Sequence, residues 1–308
     1  MSPAIRLIAA LALLLAAVAV PAASPGTAPG AVLVLGRVSD NPKADYARLR
    51  PMLDYVVPKL AEVGIREGRI LMARDTQQML SYLRRGKVDW LSETAGAAVT
   101  WQERASARLL LQTERGGMWT YQSLFFARTD SGIRSLADLR GRAIAFQNAA
   151  STSAYFLPAA EILGAGVPLV VLASPSDRPS ADVAGFVFAR SELNISTWVH
   201  KGLVDAGAYG EQDWLDPERM PDAFRGDLVV FHRSPAVPRA MEVVRGDLDP
   251  RVATRLREVL LAAPGDPAAV PALRAMWNTT GYRPVDADAA RALAQFQRGV
   301  ARIRAEVE

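Results

Sequence analysis

Residues 142–164 read RAIAFQNAASTSAYFLPAAEILG, an order that few architectures accommodate. Ala143–Phe146 is a short apolar run introduced by Gly141, the composition of a strand buried on both faces of a parallel sheet. A polar break at Gln147 and Asn148 follows, then Ser151, Thr152 and Ser153, then Tyr155, Phe156, Ala159 and Ile162 at helical spacing. The order is strand, loop, hydroxyl-rich helix start. The first turn of a helix leaves N–H groups unpaired and carries the positive end of the helix dipole. Ser and Thr hydroxyls add donors aimed at the same point, so such a start holds an anion without lysine or metal. One hydroxyl is enough to cap a helix, the ordinary role of these residues; three in a row leave both readings open. Pro158 removes a backbone donor and clashes with the turn before it. Either the helix begins near Ser153 with Pro158 early in it, or the helix is kinked.

Upstream, residues 31–35 read as a first buried strand ending at Gly36, followed by a loop at 39–42 and a helix over 44–60. Tyr46 falls early in that helix, where it either packs on the sheet or reaches a cleft at the strand ends. Residues 69–73 make a second strand, and Thr76 caps a helix to Arg85 that Gly86 closes. A short strand at 88–91 leads through Ser92, Glu93 and Thr94 into a small-residue helix over 95–105. This repeats the strand-to-polar-helix-start arrangement of 151–153 in the other half of the chain. Two such starts facing each other would enclose an anion. Glu93 would repel one, which leaves Thr94 and the free N–H groups as contacts.

Further strands are expected at 109–112, 122–128, 168–172, 183–188, 203–209 and 228–231, with those at 122–128 and 228–231 crossing between two domains. Ser135 starts a short helix ending at Gly141, and Ser191 caps a helix from Glu192 to Lys201. From Asp249 onward the chain reads as mostly helical with a Pro- and Ala-rich break at 264–271. This tail is expected to pack on the first domain and to end in an amphipathic helix from about Asp286.

Residues 1–23 have the form of a secretory signal: Arg6, an apolar run over 7–20, then Pro21-Ala22-Ala23. The run is too short for a comfortable membrane span, and Ser, Pro, Gly and Thr make 24–30 a linker. The chain contains no cysteine, hence no lipoprotein attachment site, disulfide or thiolate ligand. A net charge of +4 with arginines scattered along the chain excludes a nucleic-acid stripe and reads as a solvated surface that slightly favours anions. GxSxG, GxxxxGK(S/T), HExxH and GxGxxG are all missing, and His200 and His232 are the only histidines.

The run Tyr121-Gln122-Ser123, then 128–141 (RTDSGIRSLADLRG), then Ser151-Thr152-Ser153 resembles the phosphate/phosphite/phosphonate substrate-binding proteins of ABC transporters, whose pattern reads roughly YxS, DSGIxSLxDLxGKxxAF, STSG. The resemblance is dense over about 121–166 and continues more weakly from about 31 to 300. It implies an α/β, two-lobed type II periplasmic-binding-protein fold, each lobe a mixed, mostly parallel sheet flanked by helices, with the ligand cleft between lobes. Lobe one would comprise 31–124 and 229–308, and lobe two 125–228. It further implies that Ser151, Thr152 and Ser153 hold phosphoryl oxygens through neutral hydroxyl and N–H donors as the lobes close about a hinge.

The chain departs from the family in the other half of the site. Ser191-Glu192-Leu193 stands where the family has Ser-His-Asp. Glu211 lies one position from an acidic residue that contacts an amino group in the family. Arg239 and Ala240 replace the acid after the SPxxP turn. The candidate ligand contacts are therefore Ser151, Thr152, Ser153, Thr94, Tyr46, Glu192 and Glu211, with no catalytic residue, metal or cofactor expected. The expected protein is a periplasmic monomer that captures a small phosphate- or phosphonate-like oxyanion for a membrane ABC permease. The alternatives are a ligand sensor feeding a membrane signalling partner, or a binder of another organic anion such as a sulfonate.

Overall fold

The computed structural model describes residues 31–307; the expected signal and linker lie outside the described residues. Fourteen strands form two six-stranded sheets and one two-stranded ribbon among the described residues. The first sheet contains β1 (Ala31–Val38), β2 (Ile65–Ala73), β3 (Trp90–Glu93) and β4 (Arg108–Arg115). The chain then passes through β5 (Thr120–Tyr121) into β6 (Ser123–Arg128), β7 (Ala143–Phe146), β8 (Leu169–Val171), β9 (Ala184–Phe188), β10 (Ala206–Gly210) and β11 (Leu228–Arg233), which make the second sheet. It returns through β12 (Val237–Pro238) to β13 (Ala240–Val244) and β14 (Thr279–Arg283) of the first.

Strand order is β14-β4-β13-β3-β1-β2 in one sheet and β11-β6-β10-β7-β9-β8 in the other. β1 pairs in parallel with β2 and β3, and β7 with β9 and β10; the central strands β3 and β7 are buried on both faces, whereas β2, at the sheet edge, is largely half-buried or exposed. The first sheet is more antiparallel than expected, because β13 and β14, neither of which reads as a strand in sequence, enter it antiparallel beside β4 and β3. The two strands expected to cross between domains, β6 and β11, instead both lie in the second sheet as antiparallel neighbours. The passage between sheets is made by the β5–β12 ribbon, Val237 opposite Tyr121.

Local chemistry explains several ends. Asp75, not Thr76, caps helix Thr76–Arg84, its Oδ1 accepting the Gln78 N–H at 2.7 Å. Ser191 caps helix Glu192–His200 by accepting from Asn194 N–H. The Pro158 question resolves into a single turn of π-helix, Thr152–Phe156, that runs into helix Leu157–Gly164. Pro158 has no N–H for the Ala154 carbonyl four residues back. That carbonyl accepts instead from Gln147 N–H at 2.9 Å.

One apolar core joins Leu33, Leu35, Met52, Leu256 and Leu260 under helices Pro42–Val56 and Pro250–Ala262. A second is continuous from Leu91 and Val99 in the first sheet's territory to Ile144, Phe146 and Phe186 in the second. The last helix, Ala287–Glu306, closes that core through Leu293, Phe296, Val300 and Ile303. It was expected to pack on the first lobe, but it lies against both helix Leu157–Gly164 and helix Ala95–Ala105. Gly299 permits this approach, since a Cβ there would stand 2.7 Å from the Ala160 methyl. Among the described residues no helix is long and apolar enough to cross a membrane.

Candidate functional site

Two helix starts meet across the gap between the sheets. β3 ends at Glu93, and Thr94 is the N-cap of helix Ala95–Ala105 without using its side chain as a cap. β7 ends at Phe146, and the loop beyond it reaches Ser151, whose Oγ accepts the Ala154 N–H at 3.1 Å. Thr152 bridges the two starts: its Oγ1 accepts the Gly96 N–H at 3.0 Å and donates to Thr94 Oγ1 at 2.9 Å. The buried Thr152 hydroxyl is thus engaged with the opposite helix start in this arrangement, while Ser151 keeps a proton to donate. Ser153 is fixed through its carbonyl, which accepts from Ser123 Oγ at 2.6 Å. Gly96 makes the meeting possible, because a Cβ there would fall 2.5 Å from Thr152 Oγ1 and 3.2 Å from Phe156 Cδ2.

Around this contact opens a cleft of about 1200 Å³. Ser151, Thr152, Ser153, Thr94 and Glu192 line it; Tyr46 and Glu211 do not. Tyr46 projects into solvent from its helix, and Glu211 accepts from Gln122 Nε2 at 3.1 Å. The acid that reaches the cleft from that segment is Asp213, two residues on, which packs beside Ser153 across Gly210. Asp213 and Glu192 share Arg219, whose Nη1 bonds Asp213 Oδ1 and lies 3.9 Å from Glu192 Oε1.

Burial, with the neighbouring charge of Glu192, pushes the Asp213 carboxyl up to about 6 despite Arg219. A folded-state value above the unfolded one means the ionised group opposes folding. The opposition is absent below the unfolded value near 3.8 and complete above about 6. Two pKa units correspond to about 3 kcal/mol. Asp213→Asn is therefore expected to gain melting temperature relative to the parent as pH rises from 4 to 7. A gap that stays constant across thermal melts in this range would show that Asp213 titrates normally.

Most arginines remain scattered over the surface as expected, but eight of them, with five carboxylates, line the cleft. Arg37 is paired with Glu93 at 2.9 Å and lies 3.7 Å from Asp45, so Glu93 does not face an anion unopposed. Arg115 is 5% exposed, and its Nη2 donates to the neutral Ser92 Oγ at 2.9 Å. Neither Arg115 nor Arg239 forms an ion pair among the described residues, and the Nε of Arg37, Arg115 and Arg239 are all buried without an acceptor. Burial first, then the charge of Arg239, pulls the Arg115 guanidinium down to about 10.

Aromatic rings hold these cations in place. Arg37 and Arg115 each lie 4.6 Å from the Trp277 ring centroid, and Arg239 lies 4.9 Å from that of Tyr121. A signal for two of them was present in sequence. Arg37 and Arg115 stand at the carboxyl ends of apolar runs, where α/β sheets present side chains to ligands. Arg239 occupies the position where the resemblance lacks its acid. Farther along the cleft Phe156, Phe186, Phe188 and Trp101 form an aromatic wall, and the buried Trp101 Nε1 has no acceptor.

The sequence matches, over residues 35–290, the family described as ABC transporter, phosphonate, periplasmic substrate-binding protein. Among solved structures the chain is similar to XAC2383 from Xanthomonas citri bound to chloride ion, with 52% identity, TM-score 0.85, and coverage of 89% of this chain and 99% of that one. The same protein bound to ATP gives 51% identity and TM-score 0.85, over 90% and 99% of the two chains. PhnD1 from Prochlorococcus marinus in complex with methylphosphonate shares the fold at 18% identity, with TM-score 0.64 over 90% of this chain and all of that one (100%).

Proposed function

The chain belongs to the family of periplasmic substrate-binding proteins of phosphonate ABC transporters, and from that premise we propose that it captures a phosphoryl oxyanion in the cleft and delivers it to a membrane permease. The observation that carries this reading is the meeting of the two helix starts at Thr94, Gly96 and Thr152 beside unpaired guanidiniums. Amide N–H groups, hydroxyls and cations converge where the two halves of the fold touch, and an anion is the ligand that satisfies all three. No bond needs to be broken, and no cofactor enters. The 51% identical relative bound to ATP supports a phosphorylated ligand.

In this proposal the protein is exported by residues 1–23 and acts as a periplasmic monomer. Ser151, Ser153, Thr94 and the early N–H groups of both helices contact the anion. Thr152 keeps the bond it accepts from Gly96 N–H and turns its own proton from Thr94 to the ligand. Glu192 and Asp213 face the ligand's substituent and accept from a hydroxyl or amine there.

Calorimetry against orthophosphate and methylphosphonate tests the reading. At least one of these anions is expected to bind, and Ser151→Ala combined with Thr152→Ala is expected to cost tenfold or more in affinity, about 1.4 kcal/mol. Undiminished affinity in the double variant would reduce 151–153 to a helix cap.

A further inference from the structure

The helix-start site needs no arginine, yet the cleft also holds three grouped guanidiniums, two of which, Arg115 and Arg239, form no ion pair among the described residues. Arg37 rises from β1, Arg115 from the end of β4, and Arg239 from the link between β12 and β13. Only Arg37 has carboxylate partners, Glu93 and Asp45. Arg115 is almost wholly buried, has one neutral side-chain acceptor in Ser92, and feels the opposing charges of Arg239 and Arg37 against the favourable ones of Glu242 and Glu93, with its charge disfavoured on balance. Like charges gathered away from water oppose one another, and a buried cation without a direct ion pair is uncommon in a fold that has no use for it.

The scaffold holds the group together at a cost to itself. Trp277, with its ring against both Arg37 and Arg115, has φ of 53°, and Asn278 follows at 49°. A bulky aromatic residue in the left-handed region is an outlier that persists only where its surroundings fix it. Three Nε–H groups remain buried without acceptors, and Tyr121 carries Arg239 toward Thr152. The guanidinium fork matches two oxygens of a phosphoryl group at once, which an ammonium does not.

We infer that Arg37, Arg115 and Arg239 form a second anion subsite of this cleft, so that its preferred ligands carry two or more linked phosphoryl groups: condensed phosphates and their esters. This rests on the reading that the cleft binds phosphoryl oxyanions at the helix starts. One phosphoryl group occupies the Thr94–Thr152 contact, and the next one or two meet the arginines. A cleft of about 1200 Å³ exceeds what a single phosphoryl group fills.

The test is calorimetry of the purified protein in chloride-free buffer with orthophosphate, methylphosphonate, pyrophosphate and tripolyphosphate. Pyrophosphate and tripolyphosphate are expected to bind at least tenfold more tightly than orthophosphate. Arg239→Gln is expected to weaken pyrophosphate at least fivefold more than orthophosphate, and Arg115→Gln to do the same if its thermal melt remains cooperative. Arg239 is half-buried, and its substitution keeps the test open where Arg115→Gln fails to fold. Pyrophosphate binding no tighter than orthophosphate would overturn the inference and leave the parent reading standing, as would equal losses for both anions in Arg239→Gln. Failure of all four anions to bind would remove the parent reading itself.

Discussion

Gly96→Ala is expected to weaken phosphoryl-anion binding by roughly tenfold to a hundredfold while the fold melts no lower than the parent. The two effects separate because the glycine serves the contact between halves, not the helix it belongs to. Gly96 is the second residue of helix Ala95–Ala105, and its φ is not in the left-handed region, so alanine suits the backbone. Helix propensity favours alanine over glycine by up to about 1 kcal/mol. The added methyl would stand 2.5 Å from Thr152 Oγ1, which a short side chain on a buried turn cannot easily yield. Overpacking of this kind costs about 1–3 kcal/mol, and the Gly96 N–H bond to Thr152 would be lost with it. The cost falls only on the arrangement in which the halves touch. Small-angle scattering should therefore show a larger radius for the variant in saturating pyrophosphate than for the parent. Full affinity with an unchanged radius would mean that the 94–96–152 contact has no part in the bound form.

What sequence reasoning reached and missed follows from the range of the interactions involved. β7 and the hydroxyl run at 151–153 were legible because strand burial, loop and capping are all written within a dozen residues. The Ser191 cap and the final helix from Asp286 were legible for the same reason, each set by residues three apart. β13 was not, since its five residues carry a glutamate in the middle that no local pattern excuses. Glu242 is tolerated there because Ser92, Trp90 and Thr113, more than a hundred residues away in sequence, bring it donors. β14 has Gly281 at its centre and pairs only with β4. Arg37 and Arg115 could be placed at strand ends from sequence, but their meeting with Arg239 could not, since it follows only once β12 has returned the chain to the first sheet. Asp213 was missed by two positions, because a resemblance offers an approximate place for an acid and only the turn at Gly210 selects which one faces inward.

Glu242→Ala is expected to be the most damaging single change to the fold, at about 3–5 kcal/mol. Glu242 is fully buried. Its Oε1 accepts from Ser92 Oγ at 2.6 Å and Thr113 Oγ1 at 2.8 Å, and its Oε2 accepts from Trp90 Nε1 at 2.6 Å. Burial pushes its carboxyl up from the ordinary range. Truncation leaves the Trp90 N–H without an acceptor, and a buried group so stranded costs about 1–3 kcal/mol. The hydroxyls can turn elsewhere only in part, and the vacated volume adds a cavity cost of its own. For a chain of 308 residues each kcal/mol lowers the midpoint by about 2 °C, so a fall of roughly 6–10 °C is expected in a thermal melt. Glu242→Gln retains one acceptor and should fall by less. The damage should also reach the cleft, since Ser92 both donates to Glu242 and accepts from Arg115 Nη2. With its partner gone, Ser92 no longer fixes that guanidinium, so Glu242→Ala should lose affinity for pyrophosphate although residue 242 lies outside the cleft, and Glu242→Gln should lose less. A melt within 2–3 °C of the parent for Glu242→Ala would show that the three donors find other partners, and would uncouple this core network from the arginines above it.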